Sequence, residues 1–394
     1  IGDQLYFENF DKYKKELPDG YRIVKLGDAV SNYDSKRKPM SSRERELHQG
    51  LYPYYGATSI IDYVDDYIFD GEYLLVAEDG NNLKSLKEPI ANLVSGKFWV
   101  NNHAHILGKK DGYDLKYIYY ILNAIDISGY ITGSAQPKLN QENLANIEVE
   151  IPEYDIQLDI SNKLYMIEKK IKVCNEILNK LEDCCKDIFN HIFINYDNYE
   201  LEYSNNTDSN IPKGWSPKKI GEFVEFKKGK IPENTIENWK RGYIQYLTID
   251  GLNNKEMLYT PINGTIQTNG EVLMVMDGAA SSEVYVGYDG AIGSTFAKLL
   301  IKNNVINNEI LYLYLKYYES VFKSVNTGST VPHANKDYIC DFTIVLPSQD
   351  ILDKYNDIFT KYFEEIKSKR KEILLLIKVK ELLISKLLAK KEVE

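Results

Sequence analysis

The chain of 394 residues contains two copies of one pattern, about 195 residues apart. Residues 17–27 of the first copy match residues 211–221 of the second, and the apolar-proline pair ending at Pro152 returns at Pro347. This period is far longer than the roughly 20 to 50 residues of solenoid and propeller repeats. Each copy is therefore predicted to be a unit of domain size.

A second pair of matching segments lies in the middle of each copy. Gly71-Glu72 opens an apolar run that ends at Asp79-Gly80, and Gly270-Glu271 opens one that ends at Asp277-Gly278. A further match joins the Gly-Ser motif at residues 133–134 to that at 328–329. Between these segments the two copies diverge strongly, so one backbone frame is predicted to carry two different sets of side chains.

Each copy ends in a long segment with apolar residues spaced alternately by four and three, which is the 3.5-residue period of a coiled-coil helix. A helix that only covered its own domain would show a broader stripe at a period of 3.6. The first seam consists of Ile160, Leu164, Ile167, Ile171, Cys174, Leu178, Leu181, Cys185, Ile188 and Ile192. The second consists of Tyr355, Phe359, Tyr362, Ile366, Lys369, Ile373, Leu376, Lys380, Leu383 and Leu387.

These patterns predict an α+β fold with two similar globular domains, each followed by a long helix, the two helices pairing as an antiparallel coiled coil. The predicted boundaries are residues 1–152 and 197–347 for the domains and 153–196 and 348–394 for the helices. The first seam would span about 50 Å at about 1.5 Å per residue. Two modules held apart in this way suit a linear target with two half-sites, such as duplex DNA, whose equivalent faces recur every 34–36 Å.

Composition narrows the class of protein. With 43% hydrophobic and 27% charged residues, the sequence is typical of a soluble protein. No apolar stretch approaches the roughly 18 residues of a membrane span, and residues 1–10 lack the pattern of a secretory signal, so the expected compartment is the cytoplasm. The four cysteines have neither disulfide-framework nor zinc-site spacing.

The net charge of −10 argues at first against nucleic acid, since free-standing binders are usually basic. The distribution of charge weakens this objection, because both modules open with a locally basic segment, at residues 36–45 and 213–241. Such segments can neutralise phosphates while polar side chains reach base edges. Solvated surface loops are an equally good interpretation of the charge alone.

Motifs for catalysis are scarce. The sequence has no Walker-type phosphate loop, no G-x-S-x-G elbow, no H-E-x-x-H and no Asn/Asp-Pro-Pro-aromatic motif of the amino-methyltransferases. His103 and His105 have no cysteine or carboxylate at matching metal-ligand spacing. They are predicted to be core or hydrogen-bonding residues, with no metal site.

In the order of its motifs the sequence resembles the specificity (S) subunits of type I restriction-modification systems, from residue 16 to about residue 390. The resemblance rests on the Leu/Ile-Pro-x-Gly-aromatic opening, the Gly-Glu run, the Gly-Ser exit loop and the apolar-Pro pair with a following glutamine, Gln157 or Gln349. The second copy departs by carrying Val-Pro-His at 331–333 where the first has Gln-Pro-Lys at 136–138.

This resemblance implies a protein without catalytic activity, in which two target recognition domains each read one half of a split site in double-stranded DNA. Two methylation (M) subunits would dock on it and transfer a methyl group from S-adenosylmethionine to adenine N6, and restriction (R) subunits would add ATP-driven translocation and cleavage. The chain itself is then expected to bind neither cofactor.

Loop placement and donor chemistry select the candidate DNA contacts. In the first module these are Lys36, Arg37, Lys38, Arg43, Arg45, Asn81, Asn82, Lys84, Gln136 and Lys138. In the second module they are Lys227, Lys228, Lys230, Asn234, Ser281, Ser282, Ser329, Thr330 and His333. The exit loops at 133–138 and 328–333 are equally well interpreted as structural turns.

Two other classes of function stay open. The first is a two-lobed coiled-coil scaffold that binds proteins or glycans, in which the basic loops are only solvated surface. The second is a self-contained nuclease or methyltransferase, which would need a catalytic constellation that the sequence does not display. Salt-sensitive binding to duplex DNA would argue against the scaffold.

Overall fold

The computed structural model describes residues 20–57, 59–85, 89–133, 136–237, 239–253, 256–328 and 330–388. Contacts divide the chain into two units, residues 1–170 with 376–394, and residues 171–375. Each unit therefore combines one module with a stretch of both long helices. Residues 17–19 of the first repeat lie outside the described residues.

Module 1 contains one large sheet and one separate strand pair. Its strands are β1 (Tyr21–Lys25), β2 (Ser31–Asn32), β3 (Gln49–Tyr55), β4 (Ile60–Val64), β5 (Phe69–Ala77), β6 (Ala91–Val100), β7 (Ala104–Gly108) and β8 (Glu148–Pro152). Its helices are α1 (Leu26–Ala29), α2 (Ser42–Leu47), α3 (Asn82–Ser85), α4 (Leu115–Leu122) and α5 (Gln141–Asn146), with 3₁₀ turns at Asp34–Lys36 and Ser128–Tyr130. The sheet order is β2-β7-β5-β6-β3-β4, and only the β3–β6 pair is parallel.

The second half of the central strand β5 is apolar and buried on both faces of the sheet. Leu74 and Val76 pack into a core shared with Ile118 of α4. Leu75 points to the other face, where it joins an aromatic cluster that includes Phe98. The alternation along one strand thus builds two cores on opposite sides of the sheet.

The first long helix, α6 (Tyr154–Phe189), continues into a π-helical turn at Asn190–Ile194 and leads to module 2. The strands of module 2 are β9 (Leu201–Ser204), β10 (Ser209–Pro212), β11 (Ser216–Lys219), β12 (Val224–Lys228), β13 (Tyr243–Leu247), β14 (Leu258–Pro261), β15 (Ile266–Asn269), β16 (Val272–Val275), β17 (Val284–Tyr285), β18 (Asp289–Ile292), β19 (Phe296–Ile301) and β20 (Thr343–Leu346). The helices are α7 (Ile220–Phe223), α8 (Ile249–Leu252), α9 (Asn308–Tyr317), α10 (Glu319–Ser324), α11 (Lys336–Asp341) and the second long helix α12 (Gln349–Leu388). Two four-stranded sheets, β12-β19-β16-β17 and β14-β13-β18-β15, replace the single sheet of module 1.

The opening and closing strands of each module pair with each other. Strand β1 lies antiparallel to β8, with Tyr21 opposite Pro152. Strand β11 lies antiparallel to β20, with Ser216 opposite Leu346. The Tyr117 hydroxyl donates to the Glu150 carbonyl at 3.2 Å, and Tyr314 donates to Val345 at 2.5 Å. The duplicated frame predicted from sequence is therefore confirmed.

A glycine in each module allows two short helices to touch. A Cβ on Gly27 of α1 would lie 3.0 Å from the Ala145 Cβ of α5, and one on Gly221 of α7 would lie 2.9 Å from the Cys340 Cβ of α11. Neither glycine has a positive φ. The positions need glycine because of space, which explains why both copies of the repeat keep it.

The two long helices run antiparallel. Within the second unit, Glu182 of α6 accepts a hydrogen bond from Arg370 of α12 at 3.0 Å. Farther along the chain, the Phe193 ring packs against Tyr355, with 5.6 Å between centroids. A later residue of the first helix region thus meets an earlier residue of the second. Every predicted seam residue whose side chain is described is buried or half-buried, which confirms the coiled-coil seam; the Leu387 side chain lies outside that set.

The two lysines of the second seam are held by acids. Lys380 bonds Glu168 of α6 at 2.6 Å, a pair within the first unit. Lys369 bonds Glu372 of its own helix at 2.9 Å. Their charged ends remain partly exposed, so the seam accommodates them without burying an uncompensated charge.

The correspondence between Gln157 and Gln349 is wrong. Gln157 is fully buried, and its side chain bonds the Asp114 amide and the Pro152 carbonyl, each at 2.9 Å. Gln349 is exposed and bonds Asp353 of its own helix. Gln157 lies five residues after Pro152 in the sequence. The residue five positions after Pro347 is Leu352, which is buried. A short-range motif could not show which glutamine faces the module.

Among the described residues, no helix is long and apolar enough to cross a membrane.

Replacing either close-contact glycine is expected to destabilise the protein. Gly27→Val and Gly221→Val should each lower the free energy of unfolding by about 1–3 kcal/mol, the usual cost of overpacking. The measurement is urea-induced unfolding of the full chain. Gly129→Ala is the matched control, because a Cβ there meets nothing within 4 Å. Equal stability of all three variants would show that the helix contact does not require glycine.

Candidate nucleic-acid interface

In both modules the Asp-Gly turn lies against the exit loop. The Leu139 amide donates to the Glu78 carbonyl at 2.8 Å, and the Ala334 amide donates to the Met276 carbonyl at 2.8 Å. Backbone bridges also join Asp79 to Lys138 and Asp277 to His333. We call the first pair of loops, residues 78–80 with 132–133 and 136–139, clasp 1, and the second pair, residues 276–278 with 327–328 and 330–334, clasp 2.

Each exit loop closes on itself in the same way. Thr132 and Lys138 exchange two backbone hydrogen bonds in clasp 1, as do Thr327 and His333 in clasp 2. A Cβ on Gly133 would lie 2.3 Å from the Gln136 carbonyl oxygen, and Gly328 stands at the same distance from that of Val331. Because both glycines also have positive φ, each loop can form only with glycine there. The exit loops are thus structural turns that also present polar side chains.

Clasp 1 is an ion-pair network. The Arg37 guanidinium bonds Glu78 at 2.7 Å and also donates to the Ala104 carbonyl at 3.1 Å. Lys138 lies 3.3 Å from the other oxygen of Glu78, and His103 bonds Asp79 at 2.7 Å. Burial by itself would raise the pKa of Glu78, but the bonds from Arg37 and Lys138 and the nearby positive charges keep that pKa below its ordinary value.

A buried pair beneath clasp 1 connects it to the basic segment. The His105 side chain is 1% exposed, and its ring nitrogens lie 2.6 Å from the Asp34 carboxylate and 2.8 Å from the Leu139 carbonyl. The imidazole ring therefore links the Asp34 carboxylate to the backbone of the exit loop in clasp 1. Asp34 begins the 3₁₀ turn that leads to Lys36–Lys38, and it also accepts from the Ile106 amide at 2.9 Å.

Clasp 2 has an aspartate, Asp277, at the position equivalent to Asp79, but different cations surround it. Asp277 bonds Lys228 of β12 at 2.9 Å and His333 at 2.7 Å. Burial would raise the pKa of Asp277, but Lys228 and His333 hold that pKa below its ordinary value. Ser281 and Ser282 are fully buried; the Ser281 hydroxyl is 2.7 Å from the Pro332 carbonyl, and the Ser282 hydroxyl donates to Asn326 at 2.6 Å.

The structure separates the candidate contacts into exposed and internal side chains. Those exposed to solvent are Lys36, Lys38, Arg43, Asn81, Gln136, Lys138, Lys227, Lys228, Lys230, Asn234, Thr330 and His333. Those engaged inside the module are Arg37, Arg45, Asn82, Ser281 and Ser282. The Lys84 side chain and Ser329 lie outside what the structure describes. Internal residues can position loops but have little surface to offer a ligand.

Arg45 shows why sequence could not make this distinction. Its guanidinium bonds Asp62 of β4 at 2.8 Å and the Met40 carbonyl at 2.9 Å, and it lies 5.0 Å from the centre of the Tyr54 ring. Arg43, two residues earlier on α2, is exposed. Neighbouring arginines on a helix point to different sides, and the acid that captures Arg45 is distant in sequence.

Sequence reasoning missed an exposed aromatic residue in module 2. Trp239 is 63% exposed and Ile231 is 67% exposed, in the segment that joins β12 to β13. The available signal was a tryptophan followed directly by Lys240 and Arg241, an aromatic side chain interleaved with cations. No group of histidines, cysteines and carboxylates suited to a metal ion is found among the described residues.

The chain is similar to known proteins in family profile, in sequence and in fold. The sequence profile described as the type I restriction modification DNA specificity domain matches residues 18–183 and again residues 212–376. The MjaIX specificity subunit of Methanocaldococcus jannaschii, a type I restriction enzyme subunit, is 25% identical over 94% of this chain and 93% of its own length. The MjaVIII specificity subunit of the same organism is 29% identical over 46% of this chain, and the alignment spans 43% of that relative.

A further relative, from Haemophilus influenzae, is 36% identical, but the alignment spans only 34% of either chain. Among solved structures, the type I restriction-modification S subunit of M. genitalium matches with a TM-score of 0.67 over 94% of this chain and 97% of that one, at 16% sequence identity. At this identity the structural match concerns the fold alone.

Asp34→Asn is expected to lower the free energy of unfolding by about 1–3 kcal/mol at neutral pH, the usual cost of leaving a buried hydrogen-bond donor without an acceptor. Asparagine has one side-chain oxygen where aspartate has two, so its NH2 group would face either His105 or the Ile106 N–H. One of these donors would then lose its acceptor. The measurement is urea unfolding of the full chain. Asp65→Asn is the control, because its partner His48 is exposed, and it should change stability by less than about 0.5 kcal/mol.

The difference between wild type and Asp34→Asn should depend on pH in a defined direction. Burial by itself would raise the pKa of Asp34, but the hydrogen bonds from His105 and Ile106 lower it. The net result is a pKa below the ordinary value. A lowered folded-state pKa means that the stabilisation is complete above the unfolded-state pKa of about 4. It should decline as the pH falls through the folded-state pKa. A difference that instead grows in acid would show that Asp34 is not the ionised partner.

Proposed function

Because the chain belongs to the family of type I restriction modification DNA specificity domains, whose profile it matches twice, we propose that it is the DNA specificity subunit of a type I restriction-modification complex. Each module reads one half of a bipartite site in duplex DNA. The paired helices set the gap between the half-sites and provide the docking surface for the methyltransferase subunits. The duplicated specificity domain is the observation that carries this proposal.

The two modules share their closing strand pairs and clasps but differ in the sheets between them. This difference supports the assignment of one half-site to each module. The strand pairs β1–β8 and β11–β20 and the two clasps repeat, whereas the sheets between them differ in strand number and order. Two domains that share a frame but differ in the part between its strands and loops suit the reading of two different base sequences.

The proposal assigns all chemistry to partners. Two methylation subunits bind S-adenosylmethionine and methylate adenine, and restriction subunits, where present, bind ATP. The chain is non-catalytic and binds neither cofactor. The net charge of −10 supports such a division, because a chain this acidic benefits from basic surface on another subunit to hold DNA. A complex acting on cellular DNA would work in the cytoplasm.

The scaffold alternative makes the opposite prediction about DNA. A two-lobed protein that binds proteins or glycans would not show the steep decline of duplex affinity with salt that phosphate contacts produce. It would also leave the pattern of DNA methylation in a cell unchanged.

The decisive experiment maps methylation in a host that lacks adenine methylation. The chain is co-expressed with the methyltransferase encoded beside it, and N6-methyladenine is located across the genome by single-molecule sequencing. A split motif that appears only when this chain is present would identify it as the reader and give both half-sites and the gap. Methylation that is absent, or identical without the chain, would contradict the proposal.

Arg43→Ala tests the assignment of one half-site to module 1. Arg43 is exposed on α2, whose N-terminus is fixed by the Ser41–Glu44 capping box. If Arg43 contacts a base, its loss should cost about 1–3 kcal/mol and relax one position of one half-site. The other half-site should be read as in wild type.

The measurement for Arg43→Ala is the methylome of the variant. Lys110→Ala, which removes an exposed cation of module 1 outside the candidate contacts, is the control and should leave the motif intact. Uniform weakening of methylation at all sites would indicate a phosphate contact instead. An unchanged methylome would exclude Arg43 from the interface.

A further inference from the structure

The segment between β12 and β13, at residues 229–242, is fixed to the body of module 2. Gly229 and Lys230 donate backbone hydrogen bonds to Phe296 and Ile292, at 2.9 and 3.1 Å. Farther on, Ile236 exchanges two backbone bonds with Tyr259, at 2.9 and 2.8 Å. The described residues of this segment, all but Asn238, therefore form a defined surface.

The indole of Trp239 is held in place but remains exposed. Its Nε1–H donates to the Tyr243 carbonyl at 3.2 Å, which satisfies the one polar atom of the ring. The 63% of the residue that stays in solvent is then mostly aromatic surface. By contrast, Trp215 is 5% exposed and packs among other aromatic rings. A single exposed apolar residue is ordinary, so the exposure of Trp239 needs a second observation to acquire meaning.

That observation is the charge of the neighbouring residues in the sequence. In the stretch 227–242, Lys227, Lys228 and Lys230 come before the tryptophan and Lys240 and Arg241 follow it directly, against Glu233 and Glu237. All five cations are exposed, although Lys228 also bonds Asp277. The Lys240 ammonium lies 4.4 Å from the centre of the Tyr243 ring. Tyr243 is also the residue whose carbonyl accepts the hydrogen bond from the Trp239 indole. Residues 227–242 are thus locally basic within a chain of net charge −10.

A nucleic acid fits both halves of this surface. Cations bind phosphates, and an aromatic face stacks on a base or enters a base step as an apolar wedge. A glycan would use the aromatic face but not the cations, and an acidic peptide would use the cations but has no flat partner for the indole.

We propose that Trp239 is a base-contacting anchor of module 2, with its ring against a base of the half-site that this module reads and with Lys240 and Arg241 on the adjoining phosphates. This inference rests on the proposed function. This contact would distinguish the two modules. The equivalent segment of module 1, between β2 and β3, carries helix α2 with Arg43 and the exposed Leu47 instead.

The test uses the full chain and a duplex of about 30 base pairs that carries the motif found by methylation mapping. Trp239→Ala should weaken binding to this duplex about 10- to 100-fold, the range of base–aromatic stacking. Trp239→Phe should retain most of the affinity, because a phenyl ring still stacks. In the methylome, Trp239→Ala should lose or relax only the half-site of module 2. All variants should unfold like wild type, since the indole is exposed.

Fluorescence gives a readout that a structural role would not change. The chain has three tryptophans, and Trp99 is half-buried with its Nε1 bonded to the Lys38 carbonyl. In a Trp99→Phe background, quenching by neutral acrylamide reports mainly on Trp239, because Trp215 is buried. Cognate duplex should protect this emission, and a duplex with the module 2 half-site scrambled should protect it much less.

The outcomes separate the two proposals. If the wild-type chain directs a split methylation motif while Trp239→Ala binds and reads DNA normally, the inference about Trp239 is wrong and the proposed function stands. Acrylamide access that cognate DNA does not reduce would also overturn the inference. Equal loss at both half-sites would assign Trp239 to a partner protein instead. If the wild type directs no motif and binds no duplex, the proposed function itself fails.

Discussion

The structure depends on the closure of each module by its first and last strands. The β1–β8 and β11–β20 pairs bring distant ends of a module together, and the glycine contacts Gly27–Ala145 and Gly221–Cys340 let the adjoining short helices pack at the distance that closure requires. Because each closing strand leads directly into a long helix, this closure also fixes where the helix begins. The coiled-coil seam can then keep one phase in both copies.

Within this frame, the clasps show how similar backbones carry different chemistry. Both retain an aspartate in the Asp-Gly turn and a glycine-dependent exit loop, but clasp 1 surrounds its acids with Arg37, Lys138 and His103, whereas clasp 2 uses Lys228 and His333. Ion pairs within each module therefore help to hold the loops, although Lys138, Lys228 and His333 also remain exposed. Side chains outside these pairs, such as Arg43 and Trp239, remain available for a partner.

Much of the fold was predictable because it depends on periodicity and repetition. The heptad spacing identified both helices, and the repeated motifs identified two modules of one frame. The candidate site was less predictable, because contact residues were chosen by loop position and donor chemistry. That reasoning selected Ser281 and Ser282, which are buried, and Arg37 and Arg45, which are held by acids far away in sequence. It omitted Trp239, because the tertiary structure alone leaves that ring in solvent.

The sequence by itself determined the duplication, the α+β class and the pairing phase of the helices, since each of these is a pattern of residue types along the chain. The tertiary structure decided how the middle of each module is built, as one sheet of six strands or two of four. It also decided which polar side chains face solvent. The reason is physical: exposure and ion pairing depend on groups brought together across long sequence separations, such as Lys228 with Asp277 or His105 with Asp34, and local spacing does not encode those distances.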